Sequence, residues 1–171
     1  MGEITVNLDK LAAEQAQRMI QTIPETARQE LEQRAQKEGK PFDEKEHKRL
    51  TQKWLETLER LAAKTLGVLQ EQGIYAMVLF LHSRTSDEEK VAKECIMPYL
   101  LEMLKELPPF QNDTEVPAPN ADVQKALKFY TDKVLGDLDT LLLVRDLYEQ
   151  SLIYARYGAK ALEEKAQGSG G

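Results

Sequence analysis

The stretch from Gly67 to Arg84 places the strongest constraint on how this chain can fold. Leucines at helical spacing lead up to Gly73, and an almost wholly apolar run, residues 74–81, follows directly after it. A continuous apolar run in a polar chain is typical of an element that is buried on all sides. At about eight residues this run is too short to cross a bilayer, which takes about twenty. The pattern therefore predicts a core helix that begins after a break at Gly73 and ends at His82-Ser83-Arg84.

Composition points to a single all-α domain. The chain has 171 residues, of which 42% are hydrophobic and 30% charged, which fits one domain with a core and a well-solvated surface. Good helix formers are abundant, and no segment alternates polar and apolar residues as a strand would. We therefore expect a compact bundle of about six to seven helices over residues 1–167. Residues 168–171 have the composition of a linker or tag remnant.

Cap and breaker residues predict the helices of the first half. Asn7 is expected to cap the first helix. Pro24 is expected to begin a second, polar helix, so that residues 24–40 form a polar helical insertion ending at Gly39. Asp43 is expected to cap a third helix that runs to Gln72.

The second half has similar signals. Ser86 to Glu89 is typical of a capping box, and it predicts a helix that Pro98 is expected to kink. The proline-rich segment 108–120 is predicted to be an exposed loop. Asn120 is expected to cap a helix over residues 121–135, and Gly136 to separate it from a last helix over residues 137–165.

Catalytic and metal-binding patterns are scarce. Cys95 is the only cysteine, so neither an intramolecular disulfide nor a cysteine zinc cluster can form within the chain. Glu44 to His47 matches the Glu-x-x-His motif of di-iron bundles, but those sites need the motif twice, together with further carboxylates. The chain has no phosphate loop, nucleophile elbow or dinucleotide fingerprint. We expect a non-enzymatic protein with no cofactor and no metal.

Net charge and the N-terminal residues set expectations for partners and location. The net charge of −6 argues against binding nucleic acid through bulk positive charge. A local basic surface is still compatible with this charge, because salt screens charges beyond about 8–10 Å. No segment near the N-terminus resembles a signal peptide or a membrane span, so we expect a reduced, cytoplasmic protein that does not contact a membrane.

Basic residues of the third predicted helix align on one face. At about 100° per residue they fall within a sector of about 100°, away from the stripe of Leu50, Trp54 and Leu58. Such a row, about 28 Å long, could follow a phosphate backbone, although Glu56 interrupts it. The alternative is a solvated helix face with intrahelical ion pairs. The residues are Lys45, Arg49, Lys53, Arg60 and Lys64.

The last predicted helix carries a second basic group near tyrosines. Arg156 and Lys160 fall close together on one face, and Tyr148, Tyr154 and Tyr157 are near them in sequence. Aromatic rings beside arginine can stack on bases. Tyrosines in helices also pack at core edges or protein interfaces, so both interpretations stay open.

Two segments resemble the small helical subunit of type III CRISPR effector complexes, of the Cmr type in particular. In that family a helix, a glycine and an apolar helix lead to a Phe-Leu-x-Ser-Lys/Arg-like exit, and residues 69–84 are similar in order and spacing. Residues 152–160, with Tyr154, Arg156 and Lys160, look like the family's C-terminal segment, although Tyr157 stands where the family has a tryptophan.

This resemblance implies a non-catalytic subunit that stacks with copies of itself and with other subunits along a crRNA-bearing filament. It would contact crRNA and target RNA through the backbone, while base pairing provides sequence specificity. The resemblance adds three candidate RNA contacts to the basic row of the third helix, namely Arg84, Arg156 and Lys160. A protein-binding helical adaptor is the main alternative, and a metal-dependent helical enzyme is a second.

Overall fold

The computed structural model describes residues 6–112 and 115–168, without the side chains of 164–168. The helices are α1 (Leu8–Glu38), α2 (Glu44–Gln72), α3 (Ile74–His82), α4 (Ser86–Val91), α5 (Met97–Leu104), α6 (Val123–Phe129) and α7 (Leu138–Gly168). A short π-helix (Ala92–Ile96) joins α4 to α5, and a 3₁₀ turn (Pro108–Phe110) follows α5. A second short π-helix (Tyr130–Val134) extends α6. The described residues contain no strand, which confirms the predicted all-α bundle.

The three long helices form the scaffold, with α2 packed against both α1 and α7 and α1 also packed against α7. The apolar stripe predicted for α2 is buried from Trp54 to Leu69. It meets Met19 and Ile23 of α1, together with the buried face of α7, in one continuous core. The outward side of α2 is therefore the part of this helix that is left for contacts outside the bundle.

The break at Gly73 is confirmed. Gly73 has φ 96° and ψ −178°, and its N–H donates to the Leu69 carbonyl at 3.0 Å. The helix that follows was predicted to be buried on all sides, and this is wrong. Tyr75 and Leu79 are 40% and 43% exposed, because the neighbouring elements cover only the face that carries Met77 and Leu81.

Pro24 does not begin a new helix. It lies inside α1, which continues to Glu38, so the predicted insertion over residues 24–40 is the second half of one long helix and the turn after it. Proline removes one helical N–H donor, but the core burial of Ile23, Ala27 and Leu31 keeps the helix continuous. The caps predicted at Asn7 and Asp43 are confirmed by side-chain bonds to the N–H groups of Lys10 and Lys45.

Two predicted caps in the second half are wrong. Ser86 does not accept a capping bond and has a φ of 58°, and Thr85 stands at the N-cap without a side-chain bond. The carboxylates of this turn instead bond lysines, because α4 packs its acidic first turn against α2. Helix α6 begins at Val123 after Asp122, so Asn120 lies outside it.

The proline-rich regions depart from regular helix in two ways. The helix predicted through Pro98 is not one continuous α-helix, because residues Ala92–Ile96 form a short π-helix directly before α5, and Pro98 lies in the first turn of α5. The segment after α5 is less exposed than predicted, because Phe110 and Pro117 are buried.

The separation at Gly136 is confirmed, and α7 reaches Gly168. Of the predicted tail, residues 169–171 lie outside the described part of the chain.

Candidate nucleic-acid interface

Three cations of the predicted row lie open to solvent on the outward side of α2. Lys45, Arg49 and Arg60 are exposed, and their side chains make no ion pair with the described part of the chain. They lie within a sector of about 60° and extend over about 22 Å of helix. Glu56 lies in the same sector and is also exposed. We call these three cations and Glu56 the α2 strip.

The other two cations of the predicted row are engaged by α4. Lys53 Nζ lies 2.8 Å from Asp87 Oδ2, and Lys64 Nζ lies 2.8 Å from Glu88 Oε1. Each lysine lowers the pKa of its carboxylate, chiefly through the side-chain hydrogen bond. The structure therefore divides the row into the open α2 strip and a second part, which we call the paired edge: Lys53 and Lys64 with their partners Asp87 and Glu88. No local pattern predicts this pairing, since the acids after α3 have the spacing of a helix cap.

Arg84 lies at the same paired edge. Its guanidinium stacks on the Phe80 ring at 3.9 Å, its Nε donates to the Phe80 carbonyl at 3.0 Å, and its Nη1 lies 3.4 Å from Glu88 Oε2. Glu88 thus contacts both Arg84 and Lys64. These contacts fix the end of α3 against α4 and leave Arg84 half-buried.

Arg156 and Lys160 lie on α7 in the stretch that packs beside α2 just after Arg60. Both are exposed, and Arg156 lies two turns before Glu163, which contacts Glu59 of α2. Lys53 and Glu59 are separated by about 120° around α2, and Arg49 and Arg60 lie between them. The fold therefore places the paired edge along one side of the α2 strip and the cations of α7 near the Arg60 end of the strip.

The three tyrosines of α7 differ in how far their side chains are exposed to solvent. Tyr148 is fully buried, and its hydroxyl lies 2.7 Å from that of Tyr130, where burial raises the pKa of both phenols. The Tyr154 hydroxyl donates a hydrogen bond to the Asp9 carboxylate of α1. Tyr157 is 64% exposed, with the Arg156 guanidinium 5.7 Å from its ring centroid. Of these tyrosines of α7, Tyr157 alone presents an open ring face.

The histidines and the cysteine have structural contacts. His47 Nε2 donates to the Pro24 carbonyl at 2.7 Å, and partial burial, followed by the charge of Lys93, lowers the pKa of His82. Cys95 is buried, and burial raises the pKa of its thiol to about 12. Within the described residues, no group of three or more His, Cys, Asp or Glu side chains is placed to hold a metal ion.

Comparisons with protein-family models, with curated proteins and with solved structures found no match to this chain. Across the described ranges, no helix combines the length and apolar character that crossing a membrane requires. The resemblance of residues 69–84 and 152–160 thus stays a prediction from the sequence.

Proposed function

We propose that this chain is a non-catalytic, cytoplasmic small subunit of a type III CRISPR ribonucleoprotein. It stacks with copies of itself and other subunits along the crRNA, and it steadies the guide–target duplex through contacts to the phosphate backbone. Sequence specificity lies in base pairing, as it does in other RNA-guided systems.

The observation that carries the proposal is the open α2 strip. Lys45, Arg49 and Arg60 are exposed without ion pairs to the described residues, on a chain whose net charge is −6. Because salt screens charges beyond about 8–10 Å, the local cations decide how a phosphate close to this surface interacts. Arg156 and Lys160 add positive charge at the border with α7.

The charge pairing of Lys53 and Lys64 also favours the α2 strip as the surface that contacts RNA. Lys53 and Lys64 are neutralised by Asp87 and Glu88, so this edge is less able to attract phosphate than the α2 strip. The predicted contacts are therefore ranked, with Arg49 and Arg60 first, Lys45, Arg156 and Lys160 next, and Lys53, Lys64 and Arg84 last.

Charge reversal tests the proposal. The double variant Arg49→Glu/Arg60→Glu is expected to weaken RNA association of the assembled complex and leave the bundle folded, since both side chains are exposed. The slope of log affinity against log salt should become shallower by about 1.4–1.8, because each phosphate that the protein no longer neutralises reduces it by about 0.7–0.9. Filter binding over a salt series measures both quantities.

The matched control reverses the same amount of charge elsewhere. Lys105, just after α5, and Lys128, in α6, are exposed, and Lys105→Glu/Lys128→Glu should change RNA affinity much less. If both double variants lowered RNA affinity equally, net charge alone would control RNA binding and no particular surface of the bundle would be responsible. No effect of either variant would contradict the assignment of the α2 strip.

A protein-binding adaptor is the second candidate, because α7 exposes apolar side chains. Leu138, Leu142 and Tyr157 are all exposed large hydrophobic residues on this helix. An apolar interface of this kind is expected to bind with little dependence on salt, whereas phosphate contacts weaken steeply as salt rises. The same salt series therefore separates the two functions.

A further inference from the structure

Two carboxyl groups meet where α7 packs on α2. Glu163 of α7 is only 5% exposed, and its carboxyl group lies next to that of Glu59 of α2. Its Oε1 atom is buried and has no hydrogen-bond partner among the described residues. The pair is separated by about one hundred residues in sequence and is brought together only by the packing of the two long helices.

A hydrogen bond between two carboxyl groups requires a proton. An ionised carboxylate can only accept hydrogen bonds, so the two groups can bond each other only while one of them carries a proton. The buried Oε1 of Glu163, which receives no hydrogen bond from the described residues, favours this protonated form. Two negative charges on neighbouring carboxyl groups, one of them largely removed from water, would repel each other.

Charged groups from both helices surround the pair. Glu56 of α2 adds negative charge, and Lys160 of α7 adds positive charge that offsets part of it. Burial is the largest effect, followed by the hydrogen bond and charge of Glu59, and together they raise the pKa of Glu163 to about 7. The shared proton is therefore lost close to neutral pH.

We propose that Glu59 and Glu163 form a proton-operated latch that joins the last described turns of α7 to α2. With one shared proton the latch is closed. Loss of that proton leaves two neighbouring carboxylates, of which that of Glu163 is buried, and their repulsion weakens the packing of α7 on α2. The latch is independent of the proposed function, because it concerns only the packing of the two helices.

The direction of the pH effect follows from the two pKa values of Glu163. Its pKa is about 4.5 in the unfolded chain and about 7 in the folded protein. Below about pH 4.5 the group is protonated in both states and costs no stability. Between these values the folded state holds a proton that the unfolded state has released, so stability falls as pH rises and the loss is complete above about pH 7.

The variant Glu163→Gln tests the latch, because glutamine can donate to Glu59 at any pH. Its melting temperature should match that of the native protein near pH 4.5 and exceed it at pH 8 by about 2–4 °C or more. Glu71→Gln is the matched control, since Glu71 is an exposed carboxylate on α2, and its effect should not change across this range. An equal shift from Glu163→Gln at both pH values would overturn the latch.

A second measurement decides the question even if the variant does not fold. In the native protein, carbon-13 NMR of glutamate carboxyl groups should show one resonance that titrates near pH 7. Titration of every glutamate below about pH 5.5 would place the pair in the ordinary range and overturn the proposal.

Discussion

At the residue scale, the core contains one polar pair whose two members depend on each other. The hydroxyls of Tyr130 and Tyr148 lie 2.7 Å apart, and both rings are buried. Because both side chains are almost wholly buried, each hydroxyl has its hydrogen-bond partner in the other. The pair joins the short π-helix after α6 to α7, two elements that lie on either side of Gly136 in the sequence.

Removing one hydroxyl should cost more than removing both. Tyr148→Phe leaves the Tyr130 hydroxyl buried without this partner, and we expect the free energy of unfolding to fall by about 1–3 kcal/mol. Tyr130→Phe/Tyr148→Phe removes both polar groups and should recover most of this loss. Urea unfolding measures each value, and a double variant less stable than Tyr148→Phe would contradict the account.

Residue-level features were predictable where the signal is local. Asn7 and Asp43 bond N–H groups two or three residues away, so their capping roles can be read from the chain itself. The burial of Cys95 also follows from the apolar face that carries it. Ser86 has the same local signature as a cap, yet its turn is decided by α2, which lies far away in sequence.

At the element scale, the turn from α2 to α3 depends on a backbone conformation that only glycine adopts readily. Gly73 has φ 96° and ψ −178°, a region that is nearly exclusive to glycine. No atom lies within 4 Å of a Cβ built at this position, so steric crowding from neighbouring side chains is absent. Any cost of a larger residue therefore comes from the backbone.

Alanine substitutions inside α2 and at its end should change the free energy of unfolding in opposite directions. Gly73→Ala is expected to lower the free energy of unfolding by about 1–3 kcal/mol, because alanine is strained at this φ and ψ. Gly67→Ala is the matched control: it lies inside α2 and is equally uncrowded. It should raise stability by about 0.5–1 kcal/mol, since alanine favours helix. Urea unfolding of both variants checks the signs, and a stabilising Gly73→Ala would contradict this account of the turn.

Helix boundaries were predictable from the sequence except where packing overrides a local signal. The position of Gly73 and the length of α2 follow from periodicity and a breaker. Pro24 led to the wrong boundary because the burial of Ile23 and Ala27 outweighs one missing hydrogen bond. The exposure of Leu79 could not be predicted either, because periodicity does not reveal how many neighbours a short helix has.

At the scale of the whole molecule, the candidate site depends on how three helices are arranged. Helical spacing puts five cations on one face of α2, and the fold then pairs Lys53 and Lys64 with α4 while leaving Arg49 and Arg60 open. Pairs between residues distant in sequence, such as Glu59 with Glu163, have no local signature. The distribution of charge on the assembled bundle, more than the total of −6, therefore governs what this surface can bind.

Purification of the native complex from its host, with sequencing of any bound nucleic acid, tests the central claim most directly. We expect the chain to copurify with several larger subunits and with short RNAs that share a repeated tag. A stable complex with one unrelated protein and no nucleic acid would contradict the claim, and it would assign the exposed residues of α7 to a protein interface.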